Sequence, residues 1–172
     1  MRKITYLFIL LLTISSCKST KTGKVSSKKT PKTNTVIKER NPSEQLTIDN
    51  IIKTAEKYNG VKYKYGGTTK KGMDCSGLIT TAYNSENIPL PRTTRDLSTT
   101  GDWVDVKEVQ KGDLLFFATK KNSRHVNHVG LVTNVRPGYV EFIHSTTSSG
   151  VITSKLSDKY WYFAFVQARR IL

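Results

Sequence analysis

Cys75 and the histidines His125, His128 and His144 hold most of the chemistry this chain can offer. A thiol beside an imidazole is a nucleophile with its own base: the ring takes the sulfur's proton and the thiolate attacks a carbonyl. Cys75 falls in Gly72-Met73-Asp74-Cys75-Ser76-Gly77, at the predicted first turn of a helix, where unpaired backbone N–H groups favour a thiolate. That helix end contributes only about 1 kcal/mol, too little to ionise a thiol of pKa ~8.5 at neutrality, so an imidazole partner is required. His128 opens the run His128-Val129-Gly130-Leu131-Val132 and His144 lies near the end of the next. If the two runs pair as a hairpin, both rings share one face; His128 then meets the thiol while His144 orients its other nitrogen. His125 sits in a polar loop and is the weakest of the three. The same residues also permit a buried, inert thiol, or a zinc ion held by one Cys and two His. No Cys-x-x-Cys or His-Glu-x-x-His spacing is present, so neither metal nor cofactor is expected.

The elements that must position these groups change character along the chain. Ile48, Ile51, Ile52, Ala55 and Tyr58 recur at helical spacing, which predicts a helix capped by Thr47 and ended by Gly60. Val61 to Tyr65 reads as a short extended piece. Leu78, Ile79, Ala82 and Tyr83 give a second helical stripe starting near Asp74 or Cys75, closed by Ile88-Pro89-Leu90-Pro91. A short helix is expected at about Arg95 to Thr99. From Lys111 onward the pattern is that of strands: Asp113 to Thr119, His128 to Val135, Tyr139 to Ser145 and Tyr162 to Ala168. Pro137-Gly138 supplies a turn between the second and third. Helices against a largely antiparallel sheet define an α+β class.

The first residues read as an address. Arg2 and Lys3 precede an apolar run from Ile4 to Ile14 that stops at Ser15-Ser16-Cys17, the layout of a secretory signal over residues 1–16, shorter than the ~20 residues of a spanning helix. Ile14-Ser15-Ser16-Cys17 resembles a bacterial lipobox, which makes Cys17 a lipidation site and the membrane a partner through acyl chains. Cys75 then has no disulfide partner within the chain. The 172 residues carry 28 Lys plus Arg against 13 Asp plus Glu, a net +15. Eight of the cations fall in residues 18–40 against the single acid Glu39, leaving 18 cations and 12 anions, or +6, for residues 41–172. Residues 17–45 are expected to form a flexible basic tether, because a segment so poor in apolar side chains cannot offset its ordering entropy. Residues 46–172 form the folded domain. For an exported protein, anionic headgroups and wall polymers are expected partners and nucleic acid is not.

Over residues 47–172 the chain resembles the NlpC family of papain-like cell-wall peptidases. The blocks that carry the resemblance are Tyr63-Lys64-Tyr65-Gly66-Gly67, then Gly72 to Gly77, Leu90-Pro91-Arg92-Thr93-Thr94, Lys111-Gly112-Asp113-Leu114-Leu115-Phe116-Phe117, His128-Val129-Gly130-Leu131, Phe142-Ile143-His144-Ser145 and the closing Ala168-Arg169-Arg170. Lys111 stands where the family usually has Pro, and Leu131-Val132 replaces an aliphatic-aromatic pair. The resemblance implies a papain-like fold, Cys75 as nucleophile, His128 as base and His144 as the orienting third residue. It also implies Tyr63 beside the thiol, where its hydroxyl and the Cys75 N–H would hold the oxyanion, and Asp74 with Ser76 as groups that recognise a free amine. Arg92 and Arg95 are candidates to contact substrate carboxylates.

The implied function is hydrolysis of peptide bonds in peptidoglycan stem peptides or cross-links, at the γ-D-glutamyl-diamino acid or the D-alanyl-diamino acid bond. A catalytically silent wall-binding lipoprotein is the alternative, and acyl transfer by the same thiol differs only in what attacks the acyl-enzyme. Lys18 lacks the acidic character tied to inner-membrane retention, so an outer-membrane lipoprotein facing the periplasm is expected. A monomer is the default.

Overall fold

The computed structural model describes residues 40–172. The expected signal segment, Cys17 and most of the tether lie outside the described residues. The first helix, α1 (Pro42–Glu56), begins earlier than its apolar spacing suggests. Asn41 is its cap, accepting from the Glu44 N–H at 2.8 Å, and Pro42 occupies the first helical position, where its missing N–H costs nothing. Thr47 is therefore an interior residue. It bonds back to the Ser43 carbonyl, and residues 42–45, expected at the end of the tether, are helical. Its apolar stripe, Ile48, Ile51, Ile52 and Ala55, is buried as expected.

A small ribbon of β1 (Thr68–Thr69) and β2 (Gly72–Met73) follows, and Tyr63 bridges to Met73 beside it. Then come α2 (Cys75–Asn84), the short α3 (Thr94–Leu97) and β3 (Asp102–Val104). The strands β4 (Leu114–Phe117), β5 (His128–Arg136), β6 (Tyr139–Thr146) and β7 (Gly150–Lys155) lead to α4 (Lys159–Ala164) and β8 (Phe165–Arg170). Six strands form one antiparallel sheet in the order β3-β8-β4-β5-β6-β7. The β5–β6 hairpin turns at Pro137-Gly138, with Gly138 at φ 72°.

Alternation along β4 divides the core. Leu114 and Phe116 join Ile48, Ile51, Leu78 and Ile79 beneath α1 and α2. Leu115 and Phe117 face the other way, onto Val132, Phe142, Ala164 and Ala168. Each fully buried aliphatic side chain contributes about 1.5–3 kcal/mol, which fixes α2 against the sheet and with it the position of Cys75.

One buried carboxylate ties the ends of the domain together. Asp113 is inaccessible to solvent and accepts from Arg170 Nε and Nη2 at 2.8 and 2.7 Å and from the Gln110 N–H at 2.8 Å. Arg40 Nη2 reaches Asp113 at 3.2 Å and the Leu172 carbonyl at 3.2 Å.

Tyr162 to Ala168 differs from its expected strand. Its first half belongs to α4, and only Phe165 onward pairs in the sheet. The aromatic run Tyr160-Trp161-Tyr162-Phe163 suits a strand by propensity, yet a short helix brings Trp161 over the histidines and buries Ala164. Strand β7 is an unexpected element. It sits beside β6 with Ile152 opposite His144.

Candidate active site

Cys75 is the first residue of α2, half-buried, with Asp74 as the helix cap. The Asp74 carboxylate is fully engaged. Oδ1 accepts from the Gly77 N–H at 2.6 Å, Oδ2 from the Gly66 N–H at 2.7 Å, and the Arg92 guanidinium spans both oxygens at 3.0 and 2.7 Å. Arg92 also donates to Ser76 Oγ at 2.7 Å. Burial pushes this carboxyl up, but the Arg92 fork and the two N–H groups outweigh it and hold it below the ordinary carboxylate range. Asp74 and Arg92 thus form an ion pair, with the Ser76 hydroxyl bonded to it, that fixes the turn before the thiol. Gly77 has to be glycine in it: a Cβ there would lie 2.1 Å from the Gly67 carbonyl oxygen.

The two strand histidines meet. His128 Nε2 lies 2.9 Å from His144 Nδ1, and His144 Nε2 lies 2.9 Å from Ser154 Oγ on β7. Gly130 makes this approach feasible, because a Cβ at that position would come within 2.5 Å of the Phe142 ring and 3.3 Å of His144 Cβ. Trp161 stacks on His128, with ring centres 5.4 Å apart and planes at 24°, and meets His144 edge-on at 4.6 Å. The distances fit a proton chain in either direction. With Ser154 accepting from His144 Nε2–H, His144 Nδ1 is left to accept from His128 Nε2–H, and His128 Nδ1 keeps a free lone pair. That lone pair is what a base needs. His125 lies apart, in an exposed loop.

Cys75, His128 and Tyr63 line one cavity of about 350 Å³ together with Asn127, Ser145 and Trp161. A second cavity of about 350 Å³ runs from Cys75 and Tyr63 along Asp74, Ser76, Arg92 and Thr94. Cys75 sits where the two join. Burial pushes its thiol above the ordinary range; the Thr94 hydroxyl, with Sγ···Oγ1 at 3.6 Å, and the N–H groups of Val129 and Ser76 partly oppose this, while the Asp74 charge adds to it. Burial also lowers His128 to about 4, and burial with the neighbouring His128 takes His144 to about 3. At neutral pH the free site therefore holds a protonated sulfur beside an uncharged ring pair. Tyr63 stays protonated because burial, then the Cys75 and Asp74 charges, raise its phenol, so its hydroxyl can donate to an oxyanion.

Sequence reasoning located Cys75, His128, His144 and Tyr63, and the structure brings all four to one region. It missed Ser154 and Trp161. The β-branched run Val151-Ile152-Thr153 was the available signal for the strand that carries Ser154; nothing in the sequence distinguishes Trp161 from the other aromatics around it.

A papain-like arrangement, with a thiol at a helix start sharing a cavity with an imidazole on an antiparallel sheet, is the class that this fold and site define. The NlpC/P60 family pattern matches residues 60–170. The chain is 39% identical over 136 residues to a probable endopeptidase NlpC homolog of Haemophilus influenzae, covering 77% of this chain and 68% of that one. It is 36% identical over 116 residues to the murein DD-endopeptidase MepS/murein LD-carboxypeptidase of Escherichia coli, covering 67% of this chain and 58% of that one. Among solved structures, an NlpC/P60 family protein from Bacillus cereus superposes with a TM-score of 0.66 at 33% identity over 73% of this chain and 40% of that longer one. The chain belongs to the NlpC/P60 family, and it is a peptidase with the papain-like fold.

Proposed function

We propose that the protein is a cysteine endopeptidase that hydrolyses peptide bonds of peptidoglycan, at the D-alanyl-diamino acid cross-link or the γ-D-glutamyl-diamino acid bond of the stem. The observation that carries the reading is that Cys75 and His128 line one cavity while His144 is hydrogen-bonded to the far nitrogen of His128, in a chain similar to a murein endopeptidase. In this mechanism His128 Nδ1 takes the thiol proton as Cys75 Sγ attacks the scissile carbonyl. The Cys75 N–H and the Tyr63 hydroxyl hold the oxyanion. His128, now charged and stabilised through His144, gives the proton to the leaving amine and then activates water to release the acyl-enzyme. Asp74 and Ser76 are the candidates to meet a substrate amine, but their engagement with Arg92 favours a structural role first.

The same reading places the enzyme outside the cytoplasm, lipid-anchored through Cys17 and tethered to the outer membrane on its periplasmic side, acting as a monomer. Incubating the protein with purified sacculi and muropeptides, followed by mass spectrometry, tests the chemistry. New termini at one of the two bonds, absent with Cys75→Ala, are expected. Full digestion by the Cys75→Ala protein would falsify the mechanism, and binding of sacculi without any released peptide would favour a silent wall-binding lipoprotein. Loss of membrane partition in Cys17→Ala is the expected outcome for the anchor; unchanged partition would sink it.

A further inference from the structure

The cleft continues beyond the histidines. Thr119 and Tyr160, which wall the cavity containing Cys75 and His128, also wall a more open hollow of about 570 Å³ whose other sides include Lys120, Lys121, Lys159 and Phe163. All three lysines are exposed, and no acidic side chain lines the hollow. Tyr160 and Phe163 leave 58% and 69% of their surfaces in water. Large rings exposed together, ringed by one sign of charge, mark a binding surface. Asp158, the residue before α4, accepts from the Lys155 N–H at 3.1 Å.

Chemistry sets the direction of this extension. The imidazole that collects the thiol proton must hand it to the departing amine, so the amine-bearing half of the substrate lies on the His128 side of the sulfur. The hollow adjoins that side, whereas the Asp74–Arg92 cavity adjoins the other. We infer that the hollow is a subsite for the amine-bearing half of the substrate, an acidic peptide whose carboxylates meet Lys120, Lys121 and Lys159 while its small apolar side chains lie on Tyr160 and Phe163. The inference rests on the peptidase reading of the Cys75 cleft for its orientation. A subsite of this length selects substrates with a long leaving half, such as the second stem of a cross-link, over short clipped peptides. Three surface cations would also suit an anionic lipid surface, but that occupant would have no reason to adjoin the scissile bond.

Binding can be measured without turnover. Full-length protein carrying Cys75→Ser is titrated calorimetrically with a cross-linked peptide dimer bearing free carboxylates, and with the same dimer after carboxyl amidation. Amidation is expected to weaken binding about tenfold. A Lys120→Ser/Lys121→Ser/Lys159→Ser protein is expected to bind both dimers equally, and Phe163→Ser to weaken both. Lys107→Ser/Lys111→Ser, which removes exposed charge elsewhere, is expected to keep the discrimination. Equal affinity of the parent for the two dimers, or discrimination that survives the triple substitution, overturns the subsite. So does triple-variant loss of binding to anionic phosphatidylglycerol vesicles with peptide discrimination retained. Absence of hydrolysis by the Cys75 protein would overturn the peptidase reading alone.

Discussion

His144 Nε2 lies 2.9 Å from the Ser154 hydroxyl, which holds the ring against His128. Removing it frees the His144 ring to turn away from His128 Nε2. One neutral hydrogen bond is worth about 1 kcal/mol, so Ser154→Ala is expected to lower kcat five- to tenfold with KM unchanged, and Ser154→Thr to restore it. His144→Ala removes the acceptor altogether and is expected to cost roughly a hundredfold or more. Steady-state kinetics on a defined muropeptide checks both; a Ser154→Ala enzyme with wild-type kcat would assign Ser154 to packing. The acid limb of kcat/KM follows from His128. A base acts only when uncharged, and burial holds His128 at about 4, so with His128 in the proposed role activity is expected to persist well below pH 6 and to fall as pH approaches 4. A limb near 6.5 would show a ring that is solvated in the working enzyme.

At the scale of elements, β5 and β6 hold the ring pair only because Gly130 leaves space for Phe142 and His144. Gly130→Ala inserts a methyl group into that contact. It is expected to destabilise the fold by about 1–3 kcal/mol and to reduce kcat more than KM, as read from urea midpoints and kinetics; a fully stable, fully active variant would mean that the sheet yields locally. The hairpin was legible because its β-branched runs flank a Pro-Gly turn, and α2 because its stripe begins at a capping Asp. These two elements carry the thiol and both rings, so most of the site was readable from pattern. The remainder was hidden for physical reasons. The start of α1 lies in polar residues that periodicity does not register, and its sign was the Asn41-Pro42 cap. The helix α4 opposes its own aromatic strand propensity, because covering the histidines with Trp161 decides its shape. Strand β7 follows a Ser- and Thr-rich turn that resembles loop composition.

Across the whole molecule, two buried arrangements set stability. Asp113, closed off from solvent, compensates Arg170 and Arg40. Asp113→Asn leaves two guanidinium groups facing a neutral amide and is expected to cost about 3–5 kcal/mol, visible as a lower urea midpoint with an unchanged slope. The ring pair adds a pH dependence. In the unfolded chain a histidine takes up a proton below about 6.5, whereas folded His128 does so only near 4, so the unfolded state gains protons first as pH falls. Its contribution is fully present above 6.5 and is lost progressively toward pH 4, about 3 kcal/mol for His128 alone. Thermal melts between pH 7 and 4 are expected to show this decline, and His128→Gln to flatten it; a parallel decline in both proteins would place its cause elsewhere. The clasp of Arg40 on Asp113 and on the Leu172 carbonyl also has a geometric corollary. Both ends of residues 40–172 come together at one corner, so a short bridge between them could close the domain into a ring.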